Sequence, residues 1–120
     1  MDNKTKLLLD RTFLFAVNVL KFLKKLPYNH IDRIPILQVA RSSASVGANY
    51  EESQGAISKK DFTNKISISY REARETHYWL RMLQELNSDP KLNKEFELFI
   101  SEASELKNIF GAIKKSAGAK

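Results

Sequence analysis

Apolar side chains recur at steps of three and four along almost the whole chain, and only four glycines and three prolines punctuate its 120 residues. That period is the mark of helices that bury one face. Leu9, Phe13, Ala16, Leu20 and Leu23, beside Phe15, Val19, Phe22 and Leu26, predict a helix over about 5–26 with a broad apolar stripe, stopped by Pro27. A second helix over about 33–54 carries Pro35 in its first turn, where a missing N–H is tolerated. Gly55 is placed to close it in the left-handed conformation. The third, over about 59–87, has the clearest start: Ser58 caps it, Asp61 reaches back, and Ile57 and Phe62 are spaced for a hydrophobic staple. Its stripe reads Phe62, Ile66, Tyr70, Ala73, His77 and Leu80. Asp89 as cap and Pro90 as first residue open a fourth helix over about 90–115. Leu92, Phe96, Phe99, Ala103, Leu106, Phe110 and Ile113 carry it, and Ser116 to Lys120 read as a frayed tail. The one alternating run, Ile66 to Tyr70, falls inside the capped third helix. Short connections make neighbours antiparallel, so the expected fold is all-α: a single-domain, up-down-up-down four-helix bundle.

With 42% apolar and 28% charged residues, the composition suits a water-facing globule. No run approaches the ~20 apolar residues of a membrane span, and Asp10 and Arg11 break any signal-peptide core. The chain has no cysteine, hence no disulfide or thiolate site, and a reducing cytoplasm is the expected setting. Twenty Lys and Arg against fourteen Asp and Glu leave a net charge of +6, which favours phosphate-bearing or acidic partners. Solubility alone is the other reading of that charge.

Catalytic, metal and cofactor patterns are missing. A bundle that holds paired metal ions needs Glu-x-x-His on two helices, and neither His30 nor His77 follows a Glu by three. His77 falls on the third stripe and reads as a packed core residue. No nucleophile elbow, phosphate-cradling glycine loop or zinc spacing occurs. Glu51 with Glu52, and Glu72 with Glu75, imitate acid/base pairs, but on a helix such acids usually pair with neighbours, as Glu75 can with Arg71. The expected protein is not an enzyme and needs no cofactor.

The least ordinary stretch is Ser42-Ser43-Ala44-Ser45-Val46-Gly47-Ala48-Asn49-Tyr50-Glu51-Glu52, which is too small-sided for an ordinary core face. Ala40, Ala44, Gly47 and Ala48 offer another helix a close approach, and the serines can return hydrogen bonds to their own backbone. Asn49 and Glu52, a turn further on, could fasten the helix to something polar, with Arg71 or Arg74 as partner for Glu52. Arg41, Ser45, Gly47, Asn49 and Glu52, with Arg71, Glu75 and Trp79 of the third helix, are therefore the expected packing and interface positions. Tyr78 and Trp79 cannot both face a core, which leaves one as a docking anchor for a protein partner.

The run from Arg41 to Glu52 resembles the signature of the four-helix-bundle proteins of the S23, or 23S rRNA intervening-sequence protein, family. Asp61-Phe62 with Lys65, then Arg71-Glu72-Ala73-Arg74-Glu75-Thr76 and Tyr78-Trp79-Leu80, resemble its second signature. The similarity spans roughly Leu7 to Phe110. Many members read Ser-Ile-Pro-Ala-Asn and Glu-Gly where this chain has Ser45-Val46-Gly47-Ala48-Asn49 and Glu52-Ser53. The resemblance implies a bundle that assembles into a ring, typically a homopentamer. It also implies kinship with the basic accessory proteins of diversity-generating retroelements, which bind nucleic acid (RNA or DNA) and a reverse transcriptase.

An up-down bundle would gather the lysines at two poles. Lys4, Lys6, Lys59, Lys60, Lys114, Lys115 and Lys120 would converge at one, and Lys21, Lys24, Lys25, Arg33, Arg81, Lys91 and Lys94 at the other. The nucleic-acid candidates are Lys21, Lys24, Lys25, Lys59, Lys60, Lys114 and Lys115. Neither pole interleaves aromatics for base stacking, so binding would be phosphate-led and salt-sensitive. The alternative is that these lysines only solvate helix ends and complement helix dipoles.

Overall fold

Asp2 starts the first helix by accepting a 2.7 Å hydrogen bond from the Thr5 amide. α1 then runs Asn3–Leu23, α2 Arg33–Ser53, α3 Lys59–Leu86 and α4 Asn93–Gly118. A single 3₁₀ turn, Pro90–Leu92, leads into α4, with the Asp89 carboxylate accepting from the Lys91 amide. These elements come from a computed structural model, which describes residues 1–118.

Side-chain pairs fix the topology. Arg41 meets Glu75 and Val46 meets Ser69, so α2 and α3 run antiparallel. Tyr70 meets Gly111 and Lys114 across α3 and α4, while Thr12 meets Gly47 across α1 and α2. Arg11 meets Glu102 and Lys25 meets Glu95, closing α4 onto α1. The result is an up-down-up-down bundle about 47 Å long.

Each helix buries a seam at steps of three and four. On α1 it is Thr12, Phe15, Val19 and Phe22, and on α2 Val39, Ser43, Val46, Tyr50 and Ser53. Ile66, Ser69, Ala73, Thr76, Leu80 and Leu83 form it on α3, and Phe96, half-buried Phe99, Ala103, Leu106 and Phe110 on α4. That spacing is the knobs-into-holes pattern of helical bundles. Aromatic rings fill the α1–α4 side: Phe22 stands edge-on to Phe96 at 4.8 Å and tilts over Phe99 at 5.3 Å.

Several local expectations change. α1 ends at Leu23, short of Leu26, because the turns before Pro27 tighten to Lys25 N–H to Phe22 C=O and Leu26 N–H to Leu23 C=O bonds. No described glycine has positive φ, so Gly55 does not close α2 in the left-handed form; three successive i−3 bonds end it. Ser58 caps α3 as expected, accepting from Asp61 N–H at 3.0 Å, but Ile57 is 93% exposed and makes no staple with Phe62. α4 stays helical through Ser116 to Gly118, beyond the expected 115. Lys120 lies outside the described residues.

Candidate functional site

The small-sided stretch of α2 serves three neighbours at once. Toward α3, buried Ser42 accepts a 2.7 Å hydrogen bond from the Thr76 hydroxyl, and Ser69 donates at 2.8 Å to the Val46 carbonyl. Toward α1, Gly47 lies so close to Thr12 that an added Cβ would sit 3.1 Å from the Thr12 Cβ and Oγ1. Buried Thr12 returns its own hydroxyl to the Leu8 and Leu9 carbonyls at 2.9 and 3.0 Å, so the contact leaves no orphaned polar group. Toward solvent, Ala44 and Ala48 line one wall of a groove.

Arg41 joins the two signature segments. Its guanidinium forks between Glu72 at 2.7 Å and Glu75 at 2.6 Å, and Trp79 Nε1–H donates to Glu75 at 3.2 Å. Burial pushes the Glu75 carboxyl up, but hydrogen bonds from Arg41 and Trp79 outweigh it and hold the group below its ordinary value of 4.5. Its hydrogen bonds to Glu75 and Glu72 raise Arg41 against the opposing effect of burial. Arg71, expected opposite Glu75, is exposed and makes no ion pair among the described residues, because Arg41 reaches Glu75 first. Glu52 pairs at 3.6 Å with Lys65, not with Arg71 or Arg74, since Lys65 lies about two turns nearer the start of α3. Asn49 turns back on its own helix, donating at 2.9 Å to both the Ser45 carbonyl and hydroxyl. Tyr78 is exposed and packs edge-on against half-buried Trp79 at 5.1 Å, the division expected of that pair.

The expected apolar stripe of α1 splits. Phe15, Val19 and Phe22 are buried, whereas Phe13 is 67% and Leu20 38% exposed. Phe13, Ala16, Val17 and Leu20 line one wall of a groove of about 450 Å³, with Ala44 and Ala48 as the other. On the opposite flank of α1, exposed Leu7 and Leu14 line a second depression with Leu98 of α4 and the Arg11–Glu102 pair, whose two bonds are both 2.7 Å. α1 thus carries apolar surface on both sides.

Of the lysines named at the helix ends, Lys25 is tied to Glu95 at 3.0 Å. Lys21, Lys24, Lys59, Lys60, Lys114 and Lys115 are exposed and without an ion pair among the described residues.

A basic surface along the α3–α4 side was not expected from the sequence. Arg74 Nη1–H donates to the Tyr70 hydroxyl at 3.1 Å, with its guanidinium carbon 5.8 Å from the ring centroid. Lys114 lies 5.4 Å from the same ring. Arg74 and the neighbouring Lys107 and Lys114 hold the Tyr70 hydroxyl below its ordinary pKa, hydrogen bonding from Arg74 first. Further along, burial, Arg81 and Lys107 lower His77, which is half-buried and not a core residue. The signal was present in the 4-3-4 spacing of Tyr70, Arg74, His77 and Arg81, opposite Lys107 and Lys114 seven apart.

The profile of the 23S rRNA-intervening sequence protein family matches residues 6–112. The chain belongs to that family. Within it, both signature segments lie in the α2–α3 layer, where Arg41, Glu72, Glu75, Trp79, Ser42 and Thr76 meet. A crystal structure of a protein of unknown function from the S23 ribosomal protein family of Bacteroides thetaiotaomicron superposes with a TM-score of 0.79 at 30% identity, covering 93% of this chain and 98% of the other. No curated protein matches the chain significantly. No described helix is long and apolar enough to cross a membrane.

Proposed function

We propose that the protein is a non-catalytic, ring-forming accessory protein of the cytoplasm that holds nucleic acid weakly through basic poles. The placement of Lys4, Lys6, Lys59 and Lys60 carries this reading. All four lie in the first turns of α1 and α3, exposed and without an ion pair among the described residues. A helix start is the positive end of the dipole and disfavours a cation by about 0.3–1 kcal/mol. Lysines that merely complemented dipoles would avoid it, so an external anion is the better account. Lys21 and Lys24, near the end of α1, are explained by the dipole alone and weigh less.

Self-association rests on the two apolar flanks of α1. They differ in composition, so one copy's flank meets a different flank on the next, the head-to-tail contact that closes into rings. Five copies is the number the family resemblance implies. A second reading, a scaffold for a protein partner such as a reverse transcriptase, is favoured by exposed Tyr78 beside Trp79.

The test is a salt titration of binding to duplex DNA and to RNA by fluorescence anisotropy. Replacing Lys4, Lys6, Lys59 and Lys60 with Gln should weaken binding and flatten the log–log slope by roughly 0.9 for each duplex-DNA phosphate that is no longer neutralised. If the parent protein binds no nucleic acid at low salt, the scaffold reading replaces this one.

A further inference from the structure

The carboxylates of α3 and α4 that form ion pairs with the other two helices point away from the side where α3 and α4 meet. Glu72 and Glu75 of α3 point at Arg41 of α2. Glu102 and Glu105 of α4 point at Arg11 of α1, and Glu95 at Lys25. Along the α3–α4 side stand Arg74, Arg81, Lys107 and Lys114, none with an ion pair among the described residues; Glu85 lines the same hollow as Arg81 but does not pair with it. A π face and a phenol oxygen, both from Tyr70, organise Arg74 and Lys114 in place of a carboxylate.

Aromatic rings attract cations without neutralising them. A cluster built this way keeps its full charge for an outside anion, whereas a salt-bridged one does not. The cations are also strung out. Seven residues separate Arg74 from Arg81 and Lys107 from Lys114, about 10.5 Å in each case at 1.5 Å per residue, or roughly three phosphate steps along one strand of duplex DNA. The path begins among the lysines at the α4 end of one pole and runs toward Arg81 at the other. It lies across the bundle from the α1–α2 groove, so assembly through that groove leaves it open.

We propose that this α3–α4 side is a phosphate-tracking surface that seats a nucleic-acid strand lengthwise along the bundle, joining the two poles. It rests on the nucleic-acid reading above and assigns the main contact to different residues. Tyr70 positions the cations; its ring already lies against Gly111 and beneath two of them, so it is not free to stack on a base. Recognition is therefore of phosphate and indifferent to sequence.

The test compares three proteins by anisotropy with one 30-mer duplex DNA: the parent, the pole variant carrying Gln at Lys4, Lys6, Lys59 and Lys60, and a side variant carrying Arg74→Gln, Arg81→Gln and Lys107→Gln. The side variant should bind at least tenfold more weakly at 50 mM salt with a slope lower by two to three, and the pole variant two- to threefold more weakly. Equal binding by parent and side variant overturns this inference and leaves the nucleic-acid reading intact; no binding by the parent overturns both. Should the side variant lose helix content, acetylation of the parent decides. Lys107 and Lys114 should be protected by the oligonucleotide, and unchanged modification of both overturns the inference.

Discussion

At Gly47 the distance to Thr12 leaves no room for a side chain, and one of the close atoms is the Thr12 backbone carbon at 3.3 Å, which moves only with the helix. Gly47→Leu should therefore wedge α1 from α2 and cost about 1–3 kcal/mol or more, as overpacked cores do. The melting temperature should fall by several degrees; a melt equal to the parent's would refute the role given to the close approach. Arg41 offers a pH-resolved test. Because Glu75 is held below 4.5 in the folded chain, its contribution is complete above that ordinary value and disappears as pH falls through the folded one. Arg41→Met should destabilise by about 1 kcal/mol near pH 7, and the gap to the parent should narrow below pH 4.5 in urea melts at each pH. A constant gap would mean that poorer packing, not charge, was the cause. The glycine's role was legible in the sequence, since small residues at steps of three and four can only favour proximity. The guanidinium's partner was not: Arg41 and Arg71 can each be drawn to Glu75, and only the register of α2 on α3 selects Arg41.

All four helices were legible from period and caps, to within three residues at most boundaries. What period could not tell is how much of an apolar arc the chain itself covers. α1 shows this most clearly, with the Phe15–Val19–Phe22 line inside and the Phe13–Leu20 line outside, though both read equally well as core. A single chain has only one bundle interior to offer, and the excess faces whatever comes next. Phe13→Gln with Leu20→Gln changes no charge and touches little of the core. It should leave helix content intact while reducing the assembly to a 13.8 kDa monomer in sedimentation equilibrium at tens of micromolar. A parent that is itself monomeric would remove the need for any such surface.

Across the whole molecule, a net charge of +6 is sorted by side rather than spread. Acids close the α2–α3 and α1–α4 seams, and cations without partners mark the poles and the α3–α4 side. That sorting was only half visible in the sequence, where the poles follow from helix ends but the side follows from which way each helix turns. If copies act together, the neutral Phe13→Gln/Leu20→Gln protein should also bind a long duplex tenfold or more weakly, yet keep the parent's affinity for one too short to span two copies. Equal weakening on both lengths would argue against avidity.

Gly111 offers no side chain beneath Tyr70, and a Cβ there would approach the ring's Cε1 at 3.1 Å. A helix interior gives up about 1 kcal/mol to hold glycine in place of alanine. What that vacancy sets is a ruler: the ring can sink onto α4, and the depth to which it sinks fixes how far apart Arg74 and Lys114 stand. The gauge of the charged track is thus cut by an atom the chain leaves out.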